Sequence, residues 1–239
     1  MNSHEQLRNQ LRSELPEEVV VMWDMIESIC EMTIEVHRPS PSVTPRQAGS
    51  ETSEKGAAII LPTHEPLCAA AAYHELLHIH RFWIEGVPQL VAKVAAPAMR
   101  QVAPMLDNDV EHSIIIPRQV EAAMNEPFFL QDQISKRWGG YPWPANTEVW
   151  RRRYMNFTGA LYAPHLSAPH QETIARCLAL EGATREASLF VKRMNDLSSD
   201  KPRMLACMIR FVKLRKEDFL LRYIDIRKRS TWVEEVPLY

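Results

Sequence analysis

The chain has 239 residues, 46% hydrophobic and 24% charged, with a formal net charge of −2. These proportions are those of a globular protein and exclude disordered, collagen-like and membrane-spanning classes; a chain this long buries about 70% of its unfolded surface without a disulfide or a metal. Only 7 glycines stand against 17 prolines, and neither G-x-G-x-x-G nor G-x-x-x-x-G-K-[ST] occurs, so phosphate-cradling loops have no support.

The segment from Met1 to Pro16 is polar and lacks the apolar stretch of a signal peptide. Residues 15–31 place Val19, Met22, Trp23, Ile26 and Ile29–Cys30 at helical spacing behind Pro16, which predicts an amphipathic helix. Residues 32–38 alternate and read as a strand, 39–56 as an exposed loop, and 57–63 as a second strand ending at Pro62. The two strands are expected to pair as a loosely connected hairpin within a small sheet. A helix follows, with Thr63 as its N-cap and Gly86 and Pro88 as its stop. Residues 89–103 read as one or two helical turns. Pro104 opens another helix that ends before Pro117, and 118–126 form a further short one. The aromatic, proline-rich stretch 127–150 is a structured loop, 170–215 are helical, and 219–226 suit either helix or strand. The expected organisation is a core over 1–126, the loop segment 127–150, and a basic, mostly helical part over 151–239 packed on that core. The fold class is α+β, mainly helical, with a small sheet against one central helix.

Cys30, Cys68, Cys177 and Cys207 lie far apart and form no C-x-x-C pair, and no window of ~18 apolar residues exists. Free thiols in a reducing cytoplasm are therefore expected, with no membrane span. Charge is uneven: residues 150–239 carry 17 Lys and Arg against 10 Asp and Glu, leaving 11 against 20 in 1–149. A solvated basic helical face is the favoured reading of that excess over a nucleic-acid surface.

The specific signal is His74-Glu75-Leu76-Leu77-His78. Histidines four apart on a helix lie about 40° from one another, so both imidazoles reach one metal, while Glu75 projects about 100° away, beside the ion. Leu67, Ala70, Ala71 and Leu77 share the side of the histidines. A glycine and a histidine at the third and sixth positions after His78 would extend the motif as in metzincins; the chain has Arg81 and Ile84 there. The third ligand is sought in Asn108-Asp109-Val110-Glu111-His112 on the later helix. Leu106, Val110 and Ile114 define an apolar stripe, with Glu111 on its border and His112 about 160° from its centre. Glu111 is the favoured ligand and His112 the runner-up. Asp107 is a candidate to orient a ligand imidazole, and His80, facing nearly the opposite way from His78, is not counted as a ligand.

His74–His78 followed by Glu111 on a separate helix resembles the gluzincin metallopeptidases, especially the compact minigluzincins and the ImmA/IrrE-like peptidases. That resemblance implies a zincin-like fold with a small sheet before the active-site helix, the strand at 57–63 being its substrate-holding edge. It also implies one Zn²⁺ ion on His74, His78 and Glu111, which lowers the pKa of its water toward ~7, with Glu75 as the general base that relays the proton to the leaving amine. The expected function is a zinc metallopeptidase acting on a peptide or protein substrate. Tyr154, Tyr162, His165 and His170 are candidates for a further oxyanion donor. The alternative is a metal-stabilised regulatory or binding protein whose basic half, with Arg151-Arg152-Arg153 and Arg227-Lys228-Arg229, contacts nucleic acid or a protein partner.

Overall fold

A computed structural model of the protein describes residues 3–38, 49–62, 69–122, 138 and 141–239. The expected N-cap Thr63 and most of the expected loop 127–150 lie outside them. The chain is α+β and mainly helical, as its periodicity predicts. It divides into two compact units: Met1–Gln89 with Ile115–Asn125 and Arg222–Val233, and Leu90–Ile114 with Glu126–Leu221 and Glu234–Tyr239. Residues 222–233 thus belong with the N-terminal part, an arrangement different from the linear division expected at 126 and 150. No described helix is long and apolar enough to cross a membrane.

The first unit opens with α1 (Ser3–Glu14) and α2 (Glu17–Cys30). Val19, Trp23, Ile26 and Cys30 recur at helical spacing, and all four are buried. Helix α2 stops where Glu31 adopts a left-handed conformation, φ 51°. Glu27 then ties helix to strand: its Oε1 accepts from Trp23 Nε1 at 2.9 Å and from the Ile34 backbone N–H at 2.6 Å. Strands β1 (Ile34–His37), β2 (Gly49–Thr52) and β3 (Ala57–Ile60) form a sheet of order β1-β3-β2.

The hairpin expectation fails here. Strand β3 is central and runs parallel to β1, with Ile34 opposite Ala57, while its antiparallel partner β2 comes from the stretch read as a loop. Gly-Ser-Glu-Thr has no apolar alternation because an edge strand facing partly to solvent does not need one. Ile34, Val36, Ala57 and Ile59 point into one core with the α2 residues and with Leu76, Ile79, Phe82 and Trp83 of α3 (Ala69–Trp83). That helix ends at Gly86, whose φ of +65° strains any L side chain, and the Val87 N–H closes onto the Arg81 carbonyl at 3.2 Å.

Residues 89–103 begin as a strand, β4 (Gln89–Ala92), and continue through a 3₁₀ turn at Pro97–Arg100. Helix α4 (Val102–Glu121) then continues through Pro117 and takes in residues 118–121 of the short helix expected at 118–126, whose residues 123–126 lie outside the described ones. A proline removes one backbone hydrogen bond, and the burial of α4 on both sides of that position sustains the helix.

The second unit contains α5 (Val149–Tyr162), α6 (Ala168–Leu180), α7 (Thr184–Asp196) and α8 (Lys201–Phe211). Phe157, Phe190 and Phe211 form its aromatic centre, with ring centroids 5.2–5.6 Å apart. Helix α8 is capped by Asp200, whose side chain accepts from the Arg203 N–H at 3.1 Å, with Pro202 in the first turn. The ambiguous stretch 219–226 is a strand, β5 (Phe219–Asp225), placed between β4 and β6 (Ser230–Glu235).

Candidate metal centre

Helix α3 buries His74, Glu75 and His78 together, each under one-tenth exposed. The Nε2 atoms of His74 and His78 converge to 3.2 Å. Two Zn–N bonds of about 2.0–2.1 Å at the tetrahedral angle separate their nitrogens by about 3.3 Å, so this spacing fits a shared ion. The Phe82 ring lies nearly parallel to that of His78 at a centroid distance of 6.4 Å.

The His74 tautomer follows from its other contact. Gln119 of α4 donates through Nε2 to the Ala70 carbonyl at 3.1 Å, which turns its Oε1 toward His74 Nδ1, 2.8 Å away. An oxygen there accepts, so Nδ1 carries the hydrogen and the lone pair of the neutral ring sits on Nε2, the atom facing His78. Arg118, one residue earlier, reaches Glu85 just beyond α3. These contacts anchor the C-terminal turns of α4 against α3. His112 is seven residues before Gln119, hence about 20° from it around the helix, on the same face. Continuity of α4 brings it to the two histidines: His74, His78 and His112 are all buried and offer ligand atoms within 4.8 Å of one another. Three buried imidazoles therefore lie close enough to hold a metal ion.

Glu111 occupies a different setting. It is fully buried, and its Oε1 forms an ion pair with Lys201 Nζ at 2.8 Å. Lys201, at the start of α8, also pairs with Asp107 at 2.9 Å. The structure thus brings Glu111 to an ammonium ion and His112 to the histidine pair. A single apolar stripe on α4 favours Glu111 over His112, whereas here both side chains are buried. Leu106, Asp107, Asp109, Val110, Glu111 and His112 are all buried, and only Asn108 of this stretch is exposed, so burial extends well beyond the apolar stripe. Asp107 accepts from the Leu90 N–H at 2.9 Å as well as from Lys201, so the carboxylate expected to orient an imidazole braces β4 instead. Burial raises its carboxyl pKa, against the opposing pull of Lys201 and with the Glu111 charge adding to the rise.

Glu75 projects from α3 toward the sheet, where its carboxylate hydrogen-bonds with the Ser50 side chain of β2. Burial raises its pKa, while the neighbouring His74 imidazole and the Ser50 bond pull it down. The candidate oxyanion donors have other settings. The hydroxyls of Tyr154 and Tyr162 both donate to the Asp109 carboxylate, that of Tyr162 at 2.7 Å. His170 Nδ1 lies 2.7 Å from the Ser167 hydroxyl, and His165 is exposed. His80 bonds to Glu85 at 3.2 Å, in line with its exclusion as a ligand.

Sequence reasoning missed Gln119, Ser50 and Lys201. Gln119 shares a helical face with His112, a signal hidden by the expected helix stop at Pro117; Ser50 and Lys201 carry no local signature. No family model, curated protein or solved structure matches the chain.

Proposed function

We propose that the chain is a zinc-dependent hydrolase of peptide bonds, with His74, His78 and His112 holding the ion and Glu75 as general base. The observation that carries this reading is the convergence of three buried imidazoles, one with its tautomer set by Gln119, beside a buried carboxylate. Three neutral histidines with an open fourth position form a common catalytic zinc set. When bound, the ion supplies a Lewis acid that polarises a carbonyl and lets water ionise near neutral pH. Glu75 takes up the water proton on its carboxylate and delivers it to the departing amine. The Ser50 bond holds that carboxylate in place between the two transfers. Strand β2, the edge of its described sheet, packs on α3, which favours an extended peptide, able to add backbone hydrogen bonds there, over a small amide.

Elemental analysis of the purified chain tests the metal. One zinc per chain is expected in the wild type and in Glu111→Gln, and none in His112→Ala or His78→Ala. Glu75→Gln is expected to keep the zinc and lose about 10²–10⁴-fold in turnover on a peptide library. A wild-type chain without metal, or zinc retained by His112→Ala and lost from Glu111→Gln, overturns the ligand assignment. A zinc-replete chain that cleaves no member of the library overturns the peptidase.

A further inference from the structure

In the second unit, α5, α7 and α8 flank an open pocket of about 360 Å³. That size suits a small molecule. Four cations line it: Arg153 from α5, Arg193 from α7, Arg210 from α8, and Lys213 just past the end of α8. The one acidic side chain in the lining, Glu186, is bound at both carboxylate oxygens by the Arg153 guanidinium. Arg153 Nε also donates to the Phe211 carbonyl at 2.5 Å, so Arg153 is committed to the scaffold.

The other three cations are in surplus. Arg193 and Lys213 have no carboxylate partner among the described residues, and Arg210 reaches the main-chain oxygen of Tyr239 at 3.5 Å and its ring at 5.1 Å. The contrast with neighbours is direct, since Lys192 pairs with Asp196 on the same helix and Arg203 with Asp200 at the start of α8. Helix C-termini attract cations, but Arg153 already serves the last turn of α8. Three cations without a side-chain carboxylate partner among the described residues thus face one pocket, a setting that attracts an anion. The aromatic part of the lining is fixed. Phe211 belongs to the packed phenylalanine centre, and Tyr239 meets it edge-on at 6.4 Å with its hydroxyl hydrogen-bonded to Cys207.

We propose that this cavity binds a small phosphate monoester carrying a planar ring, the chemistry of a nucleoside monophosphate. The phosphate lies on Arg193, Arg210 and Lys213, because guanidinium groups match phosphate oxygens in paired hydrogen bonds. The ring packs against Tyr239 and Phe211. No residue of α3 or α4 lines the cavity, so this site stands or falls separately from the hydrolase.

Calorimetric titration of AMP into the full chain tests it. The expected result is saturable one-to-one binding that weakens as salt rises, with adenosine binding at least about tenfold more weakly for want of the charge-assisted bonds. Arg193→Glu combined with Lys213→Glu is expected to weaken AMP at least about tenfold, and Arg193→Lys with Lys213→Arg to stay within a few fold. Both side chains are exposed and have no carboxylate partner among the described residues, so circular dichroism should show the variants folded; if the reversal pair does not fold, Arg193→Gln with Lys213→Gln gives the same comparison. The proposal is overturned by AMP showing no saturable binding at millimolar concentration, by adenosine binding as tightly as AMP, or by affinity indifferent to the removed charges.

Discussion

His74 is set by a residue forty-five positions away. Gln119 bridges the Ala70 carbonyl and His74 Nδ1, so it chooses which ring nitrogen carries the lone pair. Replacing it with leucine leaves the three imidazoles present and the tautomer unspecified. Gln119→Leu is expected to weaken zinc binding about 10–100-fold in competition with a chromophoric chelator, and Gln119→Glu, which keeps an acceptor at that position, to restore most of it. Leucine without effect would leave Gln119 a packing residue. Contiguity explains what was legible at this scale: His74, Glu75 and His78 occupy one helix, whose geometry alone aligns them. Choosing between Glu111 and His112 meant resolving neighbours about 100° apart on a helix where both are buried. Lys201, distant in sequence, takes one of the two, and no wheel drawn on α4 contains it.

Among the elements, α3 and the C-terminal turns of α4 are joined at Glu85. Burial pushes this carboxylate up, but the hydrogen bonds from His80 and Arg118 and the charges of Arg81 and Arg118 outweigh it and hold the pKa at about 2. A depressed pKa means the folded state favours the ionised form. The contribution is present at neutral pH, begins to fade as pH falls through the unfolded value of about 4.3, and is gone below about 2. Glu85→Gln is expected to cost about 1 kcal/mol at pH 7, solvent screening of this exposed residue reducing the gain, read from urea midpoints, and to converge with wild type as pH drops across that window. A gap unchanged between pH 7 and pH 2.5 would count against the ionic origin. The elements themselves were unevenly legible. Helices α2 and α3 were readable because their apolar spacing is strong and their ends carry Pro16 and Gly86. The pairing of β1 with β3 was not: four-residue strands do not encode their partner, and the parallel arrangement depends on α2 and α3 covering the same sheet face.

For the molecule as a whole, the metal is expected to add stability rather than create the fold, since each unit has its own buried centre. Free zinc at 1,000 times its Kd stabilises the folded chain by about 4 kcal/mol. For a chain of this size that corresponds to a Tm rise of about 10 °C. Wild type should show the rise, lose it with a chelator while still melting cooperatively, and His112→Ala should show none. A Tm indifferent to zinc in the wild type would remove the metal reading.

Local order was settled by the chain itself. Helical periodicity, caps and a four-residue histidine spacing act within a few turns, so residue order alone determined the mainly helical α+β class and the aligned pair His74 and His78. The third histidine, the glutamine behind the first, the lysine beside Glu111 and the cation-lined cavity of the second unit were decided only by tertiary structure. Each depends on which surfaces meet once distant segments are packed, and burial and charge pairing exist only after that packing.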